Sequence, residues 1–338
     1  MNGTVIITGA NGSLALGFVE SFLASYPEHT LIATVRNPSP ETDQNTAKLV
    51  ELIAKYPKAN AKVEGLDLGS LAVVRSLADN LAARISSKEL PPISAIVCNA
   101  FTWSLESGQK FTSDGFEATF QVSHLAHYLL VLKLLDRMDR ISGRVVMLGS
   151  ITHYPERPNP LCSLRPGIPD NIEELIKPTP DPLALIHDRG FQRYGTAKLA
   201  NVLFTEDLNT RLKRDPNLSN ITALAMDPGG LLASRAQSGQ KASVQRLFSV
   251  LNFLMPVLKY VTTVFRTNED SGRDLVAVSL DPAFHEKRGY YIGQKAAMPS
   301  EVSGNVDLQK RLWDACWEWT GLTPDETALQ NAAPGPVS

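Results

Sequence analysis

Tyr194 and Lys198 stand four residues apart in Arg193-Tyr194-Gly195-Thr196-Ala197-Lys198. On a helix that spacing sets both side chains on one face, where a phenol and an ammonium can act on the same small volume. Hydride addition to a carbonyl leaves an oxyanion that needs a proton, and an unperturbed phenol, with a pKa of about 10, exchanges its proton sluggishly near neutrality. A cation held beside it favours the phenolate and lowers that pKa. Ser150 closes the run Arg144-Val145-Val146-Met147-Leu148-Gly149-Ser150. From there a hydroxyl can donate to the same oxygen and stabilise the charge that develops on it. Thr152 is the alternative donor. The plainer reading, a tyrosine and a lysine on an exposed helical face, leaves the order of the surrounding elements unexplained.

Those elements alternate. Thr4 to Ile7, Leu31 to Val35, Ala61 to Leu66, Ile93 to Cys98, Arg144 to Leu148 and Ile221 to Ala225 are short β-branched runs that predict strands. Between them Thr46 to Tyr56, Leu71 to Ile85, Asp114 to Leu135 and Ala197 to Leu212 carry apolar residues at helical spacing. Continuously apolar strands separated by helices predict a doubly wound, mainly parallel α/β sheet covered on both faces. One domain is expected over residues 1–327. It carries a proline-rich excursion at 153–190 and an apolar lid at 231–266, and it ends in a disordered tail at 328–338.

Directly after the first strand, Thr8-Gly9-Ala10-Asn11-Gly12-Ser13-Leu14 makes a turn of small residues that opens a helix. Backbone N–H groups at such a helix start can approach a pyrophosphate, where the helix dipole favours negative charge. The second strand ends in Arg36, where a dinucleotide fold that prefers NAD presents an acidic residue. A guanidinium grips a 2′-phosphate through paired charge-assisted hydrogen bonds, so NADP(H) is the expected cofactor. The plainer reading of Arg36 is a solvated arginine at a strand end.

The turn resembles the TGxxxGxG fingerprint of the short-chain dehydrogenase/reductase family, a Rossmann fold, with Ser13 and Ala15 in the second and third glycine positions and Gly12 and Gly17 sharing the work. The resemblance continues through Asp67-Leu68, which in that family holds the adenine, and through Asn99-Ala100 of the NNAG motif, with Cys98 and Phe101 departing from it. Asn99 is read either as a brace of the sheet or as a cofactor contact. Pro228-Gly229-Gly230 resembles the turn that passes beside the nicotinamide, and Tyr194 to Phe204 and Arg288 to Gly293 resemble the retinol-dehydrogenase-like and fungal ketoreductase branch. The resemblance implies Tyr194 as general acid, Lys198 as its tuner and ribose ligand, and Ser150 as polariser of the carbonyl. Ser123 stands where the family has an asparagine that holds a water-mediated relay to the lysine, which implies an altered relay. His124 and His127 are read as packing residues, and no metal is expected.

The composition is 43% hydrophobic with 33 Lys+Arg against 35 Asp+Glu, which excludes a nucleic-acid footprint and suits a small hydrophobic carbonyl substrate. Cys98, Cys162 and Cys316 form no close pair, and an apolar run from Val5 leaves no room for a leader, so the expected location is cytoplasmic. Residues 247–265 are strongly apolar but contain Asn252, Pro256 and Lys259. They predict two short lid helices breaking near Pro256, with peripheral contact to an intracellular membrane as the second reading and a membrane span as a poor one. A homodimer through the helices of Ser123 and Tyr194 is consistent with the resemblance, unless the excursion blocks it. The function expected is NADPH-dependent reduction of a ketone or aldehyde on a bulky polyketide-, terpenoid- or sterol-like compound. The alternatives are a cyclase or isomerase that retains NADP(H), and a non-catalytic NADP(H) sensor.

Overall fold

The computed structural model describes residues 3–255 and 264–335. One eight-stranded sheet runs through it in the order β10-β9-β6-β5-β4-β1-β2-β3. The strands are β1 Thr4–Thr8, β2 Thr30–Val35, β3 Asn60–Gly65, β4 Ile93–Cys98, β5 Arg144–Leu148, β6 Thr222–Asp227, β9 Gly289–Ile292 and β10 Lys295–Ala296. All pair in parallel except β10, which returns antiparallel beside β9. Residues of β1, β2, β5 and β6 are buried without interruption, as a sheet covered on both faces requires, whereas the edge strand β3 is largely half-buried or exposed.

One helical layer holds α1 Ser13–Ser25, α2 Gln44–Ala54 and α7 Asn268–Leu280; the other holds α3 Leu71–Ser86, α4 (118–134), α5 Ile186–Arg214 and α8 Val306–Thr320. Caps set several starts earlier or later than periodicity predicts. Asp43 accepts from the amides of Asn45 and Thr46, so α2 begins two residues before Thr46. Asp114, expected to open α4, instead accepts from Leu71 N of α3 (2.8 Å), and Glu117 caps α4 through Phe120 N (2.8 Å). Within α4 the stretch Gln121–Leu125 forms a π turn, and Ser123 sits in it.

The excursion ends sooner than expected, because α5 starts at Ile186. Gly190 explains why: a Cβ there would overlap the Ser104 carbonyl, so glycine lets the first turn of α5 lie directly on the loop after β4. The first part of the tail expected to be disordered, residues 328–332, packs against the fold. Leu329 and Ala332 are buried, and the Ala332 carbonyl accepts from Trp313 Nε1 at 2.7 Å. The indole of Trp313 also stacks on Phe204 and meets Tyr128 edge-on, so α8 and the tail cover the outer faces of α4 and α5. A homodimer through those two helices would have to displace the chain's own C-terminal segment.

The lid is tethered at both ends by a second small sheet, in which β7 Gly230–Leu231 pairs in parallel with β8 Phe265–Arg266. Its described helix is α6 Ala242–Phe253, and the anticipated break near Pro256 lies outside the described residues. No residue of α6 is fully buried, so it lies on the surface rather than sealed over a cavity. Among the described residues no helix is long and apolar enough to cross a membrane.

Gly17, expected to help form the phosphate turn, instead meets α7, where a Cβ on Gly272 would overlap the backbone of Gly17 and Phe18. This contact fixes the helix whose start forms the turn. Gly272→Ala is expected to destabilise the fold by about 2–3 kcal/mol through overpacking, read as a lower urea midpoint at unchanged m-value.

Candidate active site

The site forms where the order of the sheet reverses, at the C-terminal ends of β1, β4, β5 and β6. Thr8 closes β1 as a hub. Its hydroxyl accepts from the amides of Asn99 and Ala100 (both 3.0 Å) and donates to His127 Nε2 (2.9 Å), which leaves the His127 Nδ1–H for the Ser123 carbonyl (3.3 Å). Asn99 donates through Nδ2 to the carbonyls of Thr8 (2.8 Å) and Gly9 (3.3 Å). These contacts brace the end of β4 against the end of β1.

Gly9 has φ +64°, and a Cβ there would stand 3.0 Å from Ala100 Cβ. Only glycine fits both conditions. Gly12 caps α1 without a side-chain hydrogen bond, which leaves first-turn amides available to an anion. Ser13 faces the lid, where its hydroxyl accepts from Arg235 N (2.9 Å), while Asn11 Nδ2 donates to Thr46 Oγ1 (3.0 Å) and Leu14 is buried. Arg36 is exposed at the end of β2 and makes no ion pair among the described residues. Asp67 is exposed, with its carboxylate accepting from Gly69 N (2.8 Å), and Leu68 beside it is buried. Gly229 has φ +81°, Gly230 N donates to the Val264 carbonyl (2.8 Å), and the Pro228 carbonyl accepts from Ser271 Oγ (2.6 Å).

On α5, Tyr194, Lys198 and Asn201 face the end of β5. Gly195 permits this approach, since a Cβ there would lie 2.8 Å from the Thr152 carbonyl. Arg193 clamps the same turn from outside, donating to both Asp181 oxygens (2.7 and 2.8 Å) in the excursion and approaching Glu117 of α4 at 3.4 Å. The Ser150 hydroxyl lies close enough to the Tyr194 phenol to favour its phenolate form. Lys198 is buried and donates to the Leu148 carbonyl (2.8 Å), which Asn201 Nδ2 shares (3.2 Å). Burial lowers the Lys198 pKa to about 8, and Asp227 counters that shift. Burial pushes the Tyr194 hydroxyl up instead, with Ser150 pulling it down and Asp227 pushing it up. The ammonium is turned to the Leu148 carbonyl. No hydrogen bond joins Ser123 to Lys198 among the described residues. The Ser123 hydroxyl accepts from Thr102 N (3.4 Å) instead.

Two groups escaped the sequence reading. Asp227, buried at the end of β6, accepts from Gly229 N (2.8 Å) and from the Tyr290 hydroxyl (3.3 Å), so one carboxylate ties the Pro228 turn to β9. The second is an aromatic group around Tyr194: Trp103 at 4.9 Å between centroids, Phe101 at 5.4 Å and Phe191 at 6.2 Å. Its one signal in the sequence was Phe101 in the place of the motif's glycine.

A curated relative, the short-chain dehydrogenase iccH of Talaromyces variabilis, is 30% identical over 97% of this chain and 98% of its own length. The chain belongs to the short-chain dehydrogenase/reductase family. Within this family of oxidoreductases it is also similar to protochlorophyllide reductase A of Arabidopsis thaliana, at 27% identity over 95% of this chain and 77% of that protein. The model of the AcuH dehydrogenase domain matches residues 235–329, from the lid to α8 and the segment after it. Among solved structures, NADPH-bound carbonyl reductase from chicken fatty liver superimposes with a TM-score of 0.58 at 17% identity, covering 88% of this chain and 99% of that one, a likeness of fold.

Three histidines around the site are buried and held neutral by burial: His124 and His153 at about 4 and His127 at about 3. Their folded values lie below the ordinary 6.5, so the unfolded chain takes up protons first as pH falls. Stability is complete above pH 6.5 and is lost toward pH 4, with each histidine costing on the order of 2 kcal/mol at pH 5. Melting temperatures measured from pH 8 down to 4.5 should fall steeply below 6.5; a flat profile would contradict this assignment.

Proposed function

We propose that this protein uses NADPH to reduce a ketone or aldehyde on a bulky hydrophobic compound of polyketide-, terpenoid- or sterol-like character. The observation that carries the reading is the convergence of Ser150, Tyr194 and Lys198 at the end of β5 beside the Gly9 to Leu14 turn. The residues present fit the dinucleotide: the close approach at Gly9, the uncapped start of α1 for its phosphates, and the unpaired Arg36 for a 2′-phosphate. The NADPH bound to the chicken carbonyl reductase, which shares the fold, agrees with this. Asp67 and Leu68 would border the adenine, and Pro228, Gly229 and Gly230 the nicotinamide.

When bound, the reduced nicotinamide supplies a hydride to the carbonyl carbon. The chain's own part is proton and charge management. The Ser150 hydroxyl donates to the carbonyl oxygen, and Tyr194 delivers its phenolic proton there, so that an alcohol leaves and a phenolate remains. Lys198 stabilises that phenolate and holds the ribose hydroxyls, while Asp227 keeps the buried ammonium charged. Ser123, bonded to Thr102 and lending its carbonyl to His127, holds the wall behind Lys198 and stands in for the family's asparagine. Desolvation by the aromatic group strengthens each of these interactions.

The location that suits this reading is the cytoplasm, with α6 against an intracellular membrane. Leu247, Val250 and Phe253 are 53%, 58% and 83% exposed on α6. Residues 231–266 contain five Lys or Arg and no Asp or Glu. An outward apolar helical face within a segment of cationic excess matches an anionic bilayer surface. Sedimentation with phosphatidylserine vesicles should carry the protein down. Leu247→Ser/Phe253→Ser should leave it in the supernatant, and no binding by the unaltered chain would rule the contact out.

Tyr194→Phe should lower kcat for carbonyl reduction at least a hundredfold while NADPH binding stays within twofold, since general acid catalysis contributes about 10²–10⁴. Arg36→Glu should raise the Kd for NADPH more than tenfold and leave that for NADH nearly unchanged. NADPH oxidation that proceeds equally in Tyr194→Phe would overturn the proposed chemistry.

A further inference from the structure

The aromatic group at Tyr194 differs from the aromatic core of this chain in two respects. Trp313, a core residue, is 2% exposed and spends its indole N–H on the Ala332 carbonyl. Trp103 is only half-buried, and its indole N–H has no hydrogen-bond partner among the described residues. Phe101 is half-buried as well. Large rings left partly open beside a buried proton donor are not completing a core; they present faces and edges to whatever lies against Tyr194.

The surroundings hold these rings in place. Phe191 lies 5.9 Å from Trp103 and one helical turn before Tyr194, positioned by the contact of Gly190 with Ser104. Behind it, Leu105 and Cys162 are buried with Phe191, and Leu161 and Leu164 of the excursion pack on them. The lid approaches from the other side. A Cβ on Gly239 would stand 3.0 Å from Trp103 Nε1, and the neighbouring Gln240 meets His187 Nε2 at 3.3 Å. Excursion, α5 and lid therefore converge on one indole.

We infer that Trp103 is a specificity-determining residue that stacks a planar aromatic ring system of the substrate, with Phe101 and Phe191 flanking it. This rests on the carbonyl reduction proposed above and narrows its substrate class from hydrophobic compounds in general to fused aromatic ketones. Trp103 lies 4.9 Å from Tyr194 between centroids, with 68° between the rings, so a ring bound at the indole is a neighbour of the phenol whose proton must reach its carbonyl. A saturated polycycle of equal size fills the same volume without a π face to match.

The test compares fluorenone with its perhydro counterpart on the full chain with NADPH, in the unaltered protein, Trp103→Leu and Trp103→Phe. Fluorenone should have the higher kcat/KM. Trp103→Leu should raise its KM about three- to tenfold more than that of the saturated ketone, the range of one aromatic pair. Trp103→Phe should restore most of the loss. Equal use of the two ketones, or an equal loss for both in Trp103→Leu, overturns the inference.

Calorimetric binding to the NADPH-loaded protein separates this result from failure of the reductase reading. Fluorenone that binds, loses affinity in Trp103→Leu and is never reduced upholds the stacking subsite while sinking the reaction. Fluorenone that does not bind sinks the subsite, and reduction of the perhydro ketone would then still uphold the reaction.

Discussion

A buried ammonium is the constraint around which this structure is arranged. Lys198 sits in the interior at the end of β5 with one hydrogen bond among the described residues, to the Leu148 carbonyl, and burial draws its pKa down to about 8. An uncompensated charge in that position would be untenable. What offsets its burial is Asp227, itself buried and held by the Gly229 amide and the Tyr290 hydroxyl. The two groups belong to different elements, α5 and β6, and form no ion pair among the described residues, so the carboxylate acts on the ammonium through its field at the strand ends. The carboxylate also raises the proton affinity of Tyr194, which favours the form that can donate.

Glycines make the required closeness possible. Gly195 lets α5 settle against the Ser150 turn, Gly190 lets the same helix lie on the loop after β4, and Gly9 lets β1 meet the end of β4. None of these approaches tolerates a Cβ without displacement of backbone or a packed side chain. The long helix thus acts as a beam resting on two loops, and the aromatic group is the consequence of its first support. Arg193, spanning Asp181 and Glu117, pins the beam from the outer side.

The C-terminal third completes the enclosure in two ways. α8 and the segment after it cover α4 and α5 through Trp313, so the surfaces behind the site are sealed within one chain. The lid, tethered by β7 and β8, fastens to the nucleotide turn where Arg235 N meets Ser13 and to the excursion side where Gln240 meets His187. One covering element therefore touches both the expected phosphate site and the aromatic wall.

Much of this was legible in the chain alone. Continuous apolar runs determined the parallel sheet, because a strand buried on both faces has no polar side to show. The spacing of Tyr194 and Lys198 determined that both share one helical face, because helical periodicity is local and its outcome does not depend on distant partners. Exact helix starts were not legible. Asp114 caps α3 rather than opening α4, a choice made by a residue 43 positions away. Nor was the role of Asp227, the placement of Trp103 or the packing of 328–332. Each depends on which long-range surfaces meet, and burial, not residue type, decides whether a carboxylate becomes a counter-ion, an indole a wall, or a polar tail a cover.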